Sequence, residues 1–234
     1  MYVDQEKCIG CKLCLPYCPL GAIHIENKKA RIDEEKCVEC ANCKRSGICK
    51  KEAFCENELS WPRSVRSQMS NVKTEYKGVN GRGTEEMKTN DITNRFTKGR
   101  CGVAIELGRP GVSTSIRDLE KIAMAIAPLG VEFEELNPIT SYIIDKKTGR
   151  FNPEILDERA LSGIIEITVP DEKLIDVIQT VIKAAEEIDT VLSLDCVCVV
   201  DENGNIAAQK LLNEAGIYYR PNCKTNVGLG RAGM

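Results

Sequence analysis

Several things are scarce in this chain. Among 234 residues there is one histidine, His24, and aromatic residues make up 5%, with a single tryptophan, Trp61. So little histidine argues against haem ligation and against zinc sites built on imidazole. The formal net charge is −3, so no excess of one sign points to a nucleic acid or a membrane surface. No stretch reaches the roughly 18 apolar residues of a spanning helix. The opening MYVDQEKC lacks the basic-then-apolar pattern of a secretory signal. These absences predict a cytoplasmic protein with neither nucleic acid nor membrane as partner.

Cysteine is abundant. There are 13, and nine of them, from Cys8 to Cys55, crowd into fewer than fifty residues. In a small secreted protein such a count suggests disulfides. With two-residue spacings and no export signal, metal ligation is the better reading.

Charge divides the chain into three. Residues 1–58 hold ten basic and ten acidic side chains, residues 59–100 nine and four, and residues 101–234 thirteen and twenty-one. The first segment is expected to be a metal-binding domain. The second, rich in Gly, Ser and Thr, reads as a basic connector with one short helix near 63–70. The third reads as a separate domain.

The first segment repeats itself. VDQEKCIGCKLC (3–14) matches IDEEKCVECANC (32–43), and CPLGAIHI (18–25) aligns with CKKEAFCE (49–56) after a two-residue insertion. The alignment sets Cys18 against Cys49 and Ala22 against Ala53, and it predicts two half-modules packed about a pseudo-twofold axis.

The first run is Cys8-x2-Cys11-x2-Cys14-x3-Cys18-Pro19, and the second is Cys37-x2-Cys40-x2-Cys43-x5-Cys49. A 4Fe–4S cube offers four iron corners, each needing one thiolate. A tight loop can supply three, one every third residue, and the fourth must come from elsewhere. Paired zinc ribbons are the competing reading, but evenly spaced triplets with a fourth cysteine before proline are unusual for zinc. This segment resembles the bacterial-type dicluster ferredoxins over residues 1–56. In that family the fourth cysteine of each run reaches the other cube. The resemblance implies two 4Fe–4S clusters and low-potential one-electron transfer. It implies Cys8, Cys11, Cys14 and Cys49 on one cube, and Cys37, Cys40, Cys43 and Cys18 on the other. The second run departs from the pattern: Lys50 stands where proline is expected, and the insertion leaves Cys55 as a rival to Cys49.

The third segment alternates strand and helix signals. CGVAIELG, SGIIEITVP and TVLSLDCVCVV read as strands, with VEFEEL and TSYIID as strand pieces and DENG as a turn. In SIRDLEKIAMAIAPLG, Ile116, Leu119, Ile122, Ala123 and Ile126 share a helical face, and Ser115 with Asp118 resembles a capping box. A second helix is expected over DEKLIDVIQTVIKAAEEI and a short one over AAQKLLNEAG. The order β-α-β-β-α-β is the split βαβ pattern. The expected fold class is therefore α+β: a two-cluster ferredoxin domain, then a ferredoxin-like, ACT-like α/β sandwich over 101–234 with a C-terminal helix and tail.

Four cysteines lie outside the runs. In a split βαβ sheet the first and last strands are neighbours, so Cys101 is expected to meet the stretch holding Cys196 and Cys198. A third metal site with Cys223 is one reading, and small buried hydrophobes in a valine-rich strand are the other. Loops dense in glycine and cations supply Arg82, Lys88, Asn90, Arg109, Lys224 and Asn226 as candidate contacts to a small anionic ligand. None matches a phosphate-binding fingerprint. His24 is expected on a hairpin strand beside the first cube. Trp61 and Pro62 are expected to pin the connector against a domain, and Arg63 and Arg66 read as surface charges.

The leading functional reading is an electron-transfer protein serving a partner redox enzyme. An iron–sulfur oxidoreductase acting on a small anion and a ligand sensor are the alternatives. Free strand edges also make a homodimer plausible.

Overall fold

The computed structural model describes residues 1–76, 79–80, 95–109 and 111–220. Two hydrophobic cores organise it.

The first core gathers Val3, Cys14, Ile23, Ala30, Ala41, Ala53 and Phe54. Around it lie β1 (Tyr2–Val3), β2 (Ile23–Glu26), β3 (Lys29–Ile32), the one-turn helix α1 (Asn42–Arg45) and β4 (Phe54–Cys55). Strand β1 pairs antiparallel with β4, and β2 with β3. Such short elements cannot stabilise themselves, and the segment is mostly loop.

The sequence repeat is a structural repeat. The Asp4 and Asp33 carboxylates each accept two main-chain N–H bonds from the turn that follows, and their carbonyls accept from Cys8 and Cys37 at 3.0 Å. The halves are exchanged at their ends. Asp4 N donates to Ala53 O and Asp33 N to Ala22 O, both at 2.8 Å. Left-handed backbone recurs at matched positions: Gly10 with Glu39, Lys12 with Ala41, and Gly21 with Glu52. At Gly10 the reason is also contact, because a Cβ there would lie 1.8 Å from the Lys28 carbonyl oxygen on the β2–β3 turn.

Helix α2 (Ser64–Ser70) follows, and then the second core. A four-stranded sheet is built from β5 (Arg100–Leu107), β6 (Glu132–Phe133), β7 (Gly163–Pro170) and β8 (Leu192–Val197), in the spatial order β8-β5-β7-β6, with all neighbours antiparallel. Alternate residues of β5 (Cys101, Val103, Ile105, Leu107) and of β7 (Ile165, Ile167, Val169) are buried on one face. Helices α3 (Ile116–Ile126) and α4 (Leu174–Ala184) cover that face with Ile116, Leu119, Ile122, Ile126, Leu174, Val177, Ile178 and Val181. Ser115 caps α3 by accepting the Asp118 amide at 3.1 Å, and Gly130, with φ +73°, ends the turn that follows it. Among the described residues the last helix is α5 (Ala207–Glu214).

TSYIID does not join the sheet. Its Ile143–Asp145 strand forms a separate small hairpin with Arg150–Phe151. On the opposite face of β7, Glu166 and Thr168 are buried yet polar. Glu166 accepts from Asn137 Nδ2 at 2.8 Å, and Thr168 Oγ1 accepts from Arg100 at 3.1 Å.

Helix α2 joins the two cores. Val65 and Met69 are buried in the second, while the neighbouring Arg66 reaches into the first. Its guanidinium donates to the carbonyls of Glu34, Glu35 and Cys37 and pairs with the Glu158 carboxylate. Arg66 is thus a buried clasp and no surface charge. Its neighbour Arg63 is also engaged, 2.8 Å from Glu39. Trp61 donates to Glu154 at 2.7 Å and packs on Tyr142, fastening the chain just ahead of α2. Among the described residues no helix is long and apolar enough to cross a membrane.

Candidate metal centre

The two cysteine runs fold into two nests. In the first, Cys14 is buried and Cys11 exposed. Burial pushes the Cys14 thiol above its ordinary range, and the sulfurs of Cys11, Cys8 and Cys49 push it further. Cys8 and Cys49 pack against the core that holds Cys14. In the second nest burial raises Cys43 to about 12 and Cys37 to about 11; the nearby Cys40, Cys37 and Cys18 sulfurs add to the rise at Cys43. Cys40 is likewise raised by burial and by Cys18. An apolar cavity bordered by Ala22, Ile23, Ile32 and Val38 brings Cys18, Cys37, Cys40 and Cys43 to its walls. At this cavity Cys18 of the first run meets the three cysteines Cys37, Cys40 and Cys43 of the second.

Three of the cysteine sulfurs accept main-chain N–H bonds. Ala22 N donates to Cys18 Sγ at 3.2 Å, and its repeat mate Ala53 N donates to Cys49 Sγ at 3.4 Å. Ala30 N donates to Cys8 Sγ at 3.3 Å. Amide bonds to sulfur stabilise a thiolate and are among the levers that set cluster potential. Cys55 lies on β4 opposite Tyr2, whose hydroxyl bonds it.

The donor set suits a polynuclear group. Eight sulfurs, buried or half-buried among apolar side chains apart from Cys11, are soft ligands for iron–sulfur chemistry. Among the described residues, no three His, Cys, Asp or Glu side chains stand close enough to share one metal ion.

The other candidate residues are placed differently. Arg109 is paired with Glu106 on the end of β5, so its charge is already engaged. Arg82, Lys88, Asn90, Lys224, Asn226 and Cys223 lie outside the described residues. His24 is on β2 and exposed. Cys101 is buried against Cys198, whereas Cys196 is exposed. Sequence reasoning missed the Arg66 clasp on the Cys37 loop. Its only sequence signal is a basic residue between the apolar Val65 and Met69.

Comparison with known proteins reaches the same segment. Residues 1–24 match the family described as a 4Fe-4S binding domain. Over 52 residues, 22% of this chain, it is 48% identical to a subunit of the ion-translocating oxidoreductase complex of Methanosarcina acetivorans, covering 19% of that protein. Over 42 residues, 18% of the chain, it is 48% identical to a ferredoxin-like protein in the nif region of Nostoc, covering 36% of it. Over 46 residues, 20% of the chain, it is 37% identical to ferredoxin YfhL of Escherichia coli, covering 54% of it. The chain thus spans about a fifth to a half of the length of these relatives. No solved structure matches. The cysteine-rich N-terminus is therefore a 4Fe–4S ferredoxin domain, and no family attaches to the residues that follow it.

Proposed function

We propose that the chain is an iron–sulfur electron-transfer protein carrying two 4Fe–4S clusters and passing single low-potential electrons to or from a partner redox enzyme. Cys8, Cys11, Cys14 and Cys49 hold one cluster, and Cys37, Cys40, Cys43 and Cys18 hold the other. The observation that carries this reading is the mixing of the two runs: Cys18 lines one apolar cavity with Cys37, Cys40 and Cys43, and Cys49 packs against the core that holds Cys14. When bound, each cube takes up and releases one electron at a time. The residues around it bury most of the sulfurs, supply N–H donors at Cys8, Cys18 and Cys49, and leave one edge near solvent. That edge is at Cys11, flanked in the chain by the exposed apolar side chains Ile9 and Leu13. It is the natural surface for a redox partner, because an electron needs a short path and a desolvated contact.

Several relatives are named for work in larger assemblies, among them the Methanosarcina complex subunit and a pyruvate synthase subunit of Methanocaldococcus jannaschii. That supports a protein partner for this chain. The second unit, read as a split βαβ sandwich, anchors the module through Arg66. The small-anion reading loses ground at Arg109, which Glu106 already neutralises.

The test is a spectroelectrochemical titration of oxygen-free protein. Two one-electron reductions per chain, reversible over repeated cycles, are expected. A chain that takes up no electrons at low potential would refute the reading.

A further inference from the structure

The second core contains a sulfur pair that the ferredoxin domain does not use. Cys101 begins the buried row of β5 and is fully enclosed. Cys198 follows β8 directly and is half-buried against the same core. The register pairs Cys196 with Val103 and Val197 with Gly102, so the next step sets Cys198 opposite Cys101. Residues opposed in an antiparallel pair have Cα atoms about 4.5–5.5 Å apart, inside the roughly 4.4–6.8 Å range that a disulfide spans. The two Sγ atoms are 3.0 Å apart, and Asp171 Oδ1 lies 3.0 Å from Cys101 Sγ.

We propose that Cys101 and Cys198 form a reversible dithiol–disulfide couple that clips the edge strand β8 to the central strand β5. The chemistry is exchange with a low-molecular-weight disulfide. The Cys198 thiolate attacks one sulfur of that disulfide, forming a mixed disulfide and releasing the first small thiolate. Cys101 then loses its proton to Asp171 and attacks Cys198 Sγ, forming the internal bond and releasing the second small thiolate. The protein dithiol is oxidised by two electrons and the small disulfide is reduced to two thiols, the two protons passing to the released thiolates through solvent.

The surroundings divide these roles. Cys198 lies beside the start of α5, whose N-cap residue Ile206 offers no side-chain bond. It receives a hydrogen bond from Cys101 and one from the Ala208 amide, and these hold its thiol below the ordinary range. A thiolate at a helix N-terminus is a good nucleophile. Cys101 is held well above its ordinary range by its bond to Cys198, by burial and by Asp171, so it stays protonated until it resolves the mixed disulfide. Cys198 is also the more accessible of the two, as the attacking sulfur must be.

The experiment uses oxygen-free full-length protein with its clusters in place. It is equilibrated with oxidised or reduced glutathione, quenched with an alkylating agent, and mapped by peptide mass spectrometry. The expected result is a Cys101–Cys198 cross-linked peptide that forms under the oxidised buffer and disappears under the reduced one. C101S, if it folds, should trap glutathione on Cys198. C198S should leave Cys101 unmodified, because it is enclosed. Absence of the cross-link in the wild-type chain at every poise would overturn the proposal. So would a stoichiometric metal ion that blocks alkylation of both cysteines in the wild-type protein.

Discussion

Arg66 Nη1 donates to the main-chain carbonyl of Cys37 at 2.8 Å, so the loop carrying the second cysteine run is held by a side chain from the helix that feeds the other core. The same guanidinium pairs with Glu158, next to the strand pair Thr114–Ser115 with Arg159–Ala160. Ferredoxin loops and sheet unit are therefore joined through one buried charge pair.

That junction makes a stability prediction. Removing one partner of a buried ion pair strands the other charge, at a cost of about 3–5 kcal/mol. Arg66→Ala should lower the thermal midpoint and hasten loss of brown colour on warming. The double variant R66M with E158L should recover much of the stability, since apolar replacements of buried pairs are often tolerated. Calorimetry on the loaded protein would check both. Equal melting of R66A and wild type would remove the clasp from the account.

Cys49 and Cys55 give opposite expectations. Cys49 Sγ accepts the Ala53 amide and neighbours Cys14, whereas Cys55 pairs with Tyr2 on the outer strand. Cys49→Ser should lower iron by about four atoms per chain, or leave a cluster that bleaches rapidly, while Cys55→Ser should keep the full complement. Iron analysis of the two variants, purified side by side, makes the comparison.

Gly10 is a backbone requirement. It has φ +69° and packs against the Lys28 carbonyl, so a methyl group meets both left-handed strain and a hard contact. Left-handed backbone alone costs an L-residue about 1–2 kcal/mol, and the contact adds to it. Gly10→Ala should therefore destabilise the module by more than that and loosen the cluster nearest Cys8 and Cys11. The matched Glu39 shows that the half-repeats differ here: it holds the same backbone with a side chain bonded to Arg63. Cluster-release rates in a chelator would measure the difference.

How far the sequence could be read depends on what kind of signal it carried. The 29-residue echo of VDQEKC in IDEEKC was legible as a structural repeat, because Asp4 and Asp33 hold matching local turns, whereas the sharing of Cys18 and Cys49 between runs comes only from the family resemblance. The buried faces of α3 and α4 were legible from helical periodicity. Arg66 was not, because a lone arginine on a short helix looks like solvent-facing charge until Glu158, ninety-two residues away, is brought beside it. Glu166 hides in the apolar run GIIEITVP for the same reason: its partner Asn137 comes from a distant loop. TSYIID has strand composition, but its pairing with Arg150–Phe151 is set by the turn at Gly149, where a Cβ would lie 2.3 Å from the Ala123 carbonyl oxygen.

The raised thiols predict a pH dependence for protein stripped of iron. Burial lifts Cys37 to about 11 and Cys43 to about 12, above the ordinary thiol value near 9. A raised thiol favours the folded chain below its unfolded pKa, and that contribution is lost as pH climbs through the folded value. The midpoint of the metal-free chain should therefore fall between about pH 9 and 12, with a smaller fall in C37S and C43S. The loaded protein should differ: its thiols are already deprotonated ligands, and acid rather than alkali should release the metal. Melting followed by circular dichroism across the pH series distinguishes the two forms.

The most direct measurement is the inorganic content of protein purified without oxygen. Two cubes require about eight iron atoms and eight acid-labile sulfides per chain, with a broad brown absorbance that bleaches on reduction. That stoichiometry, lost by half when Cys18 or Cys49 is replaced, is the predicted result. Colourless protein holding zinc and no labile sulfide would contradict the account.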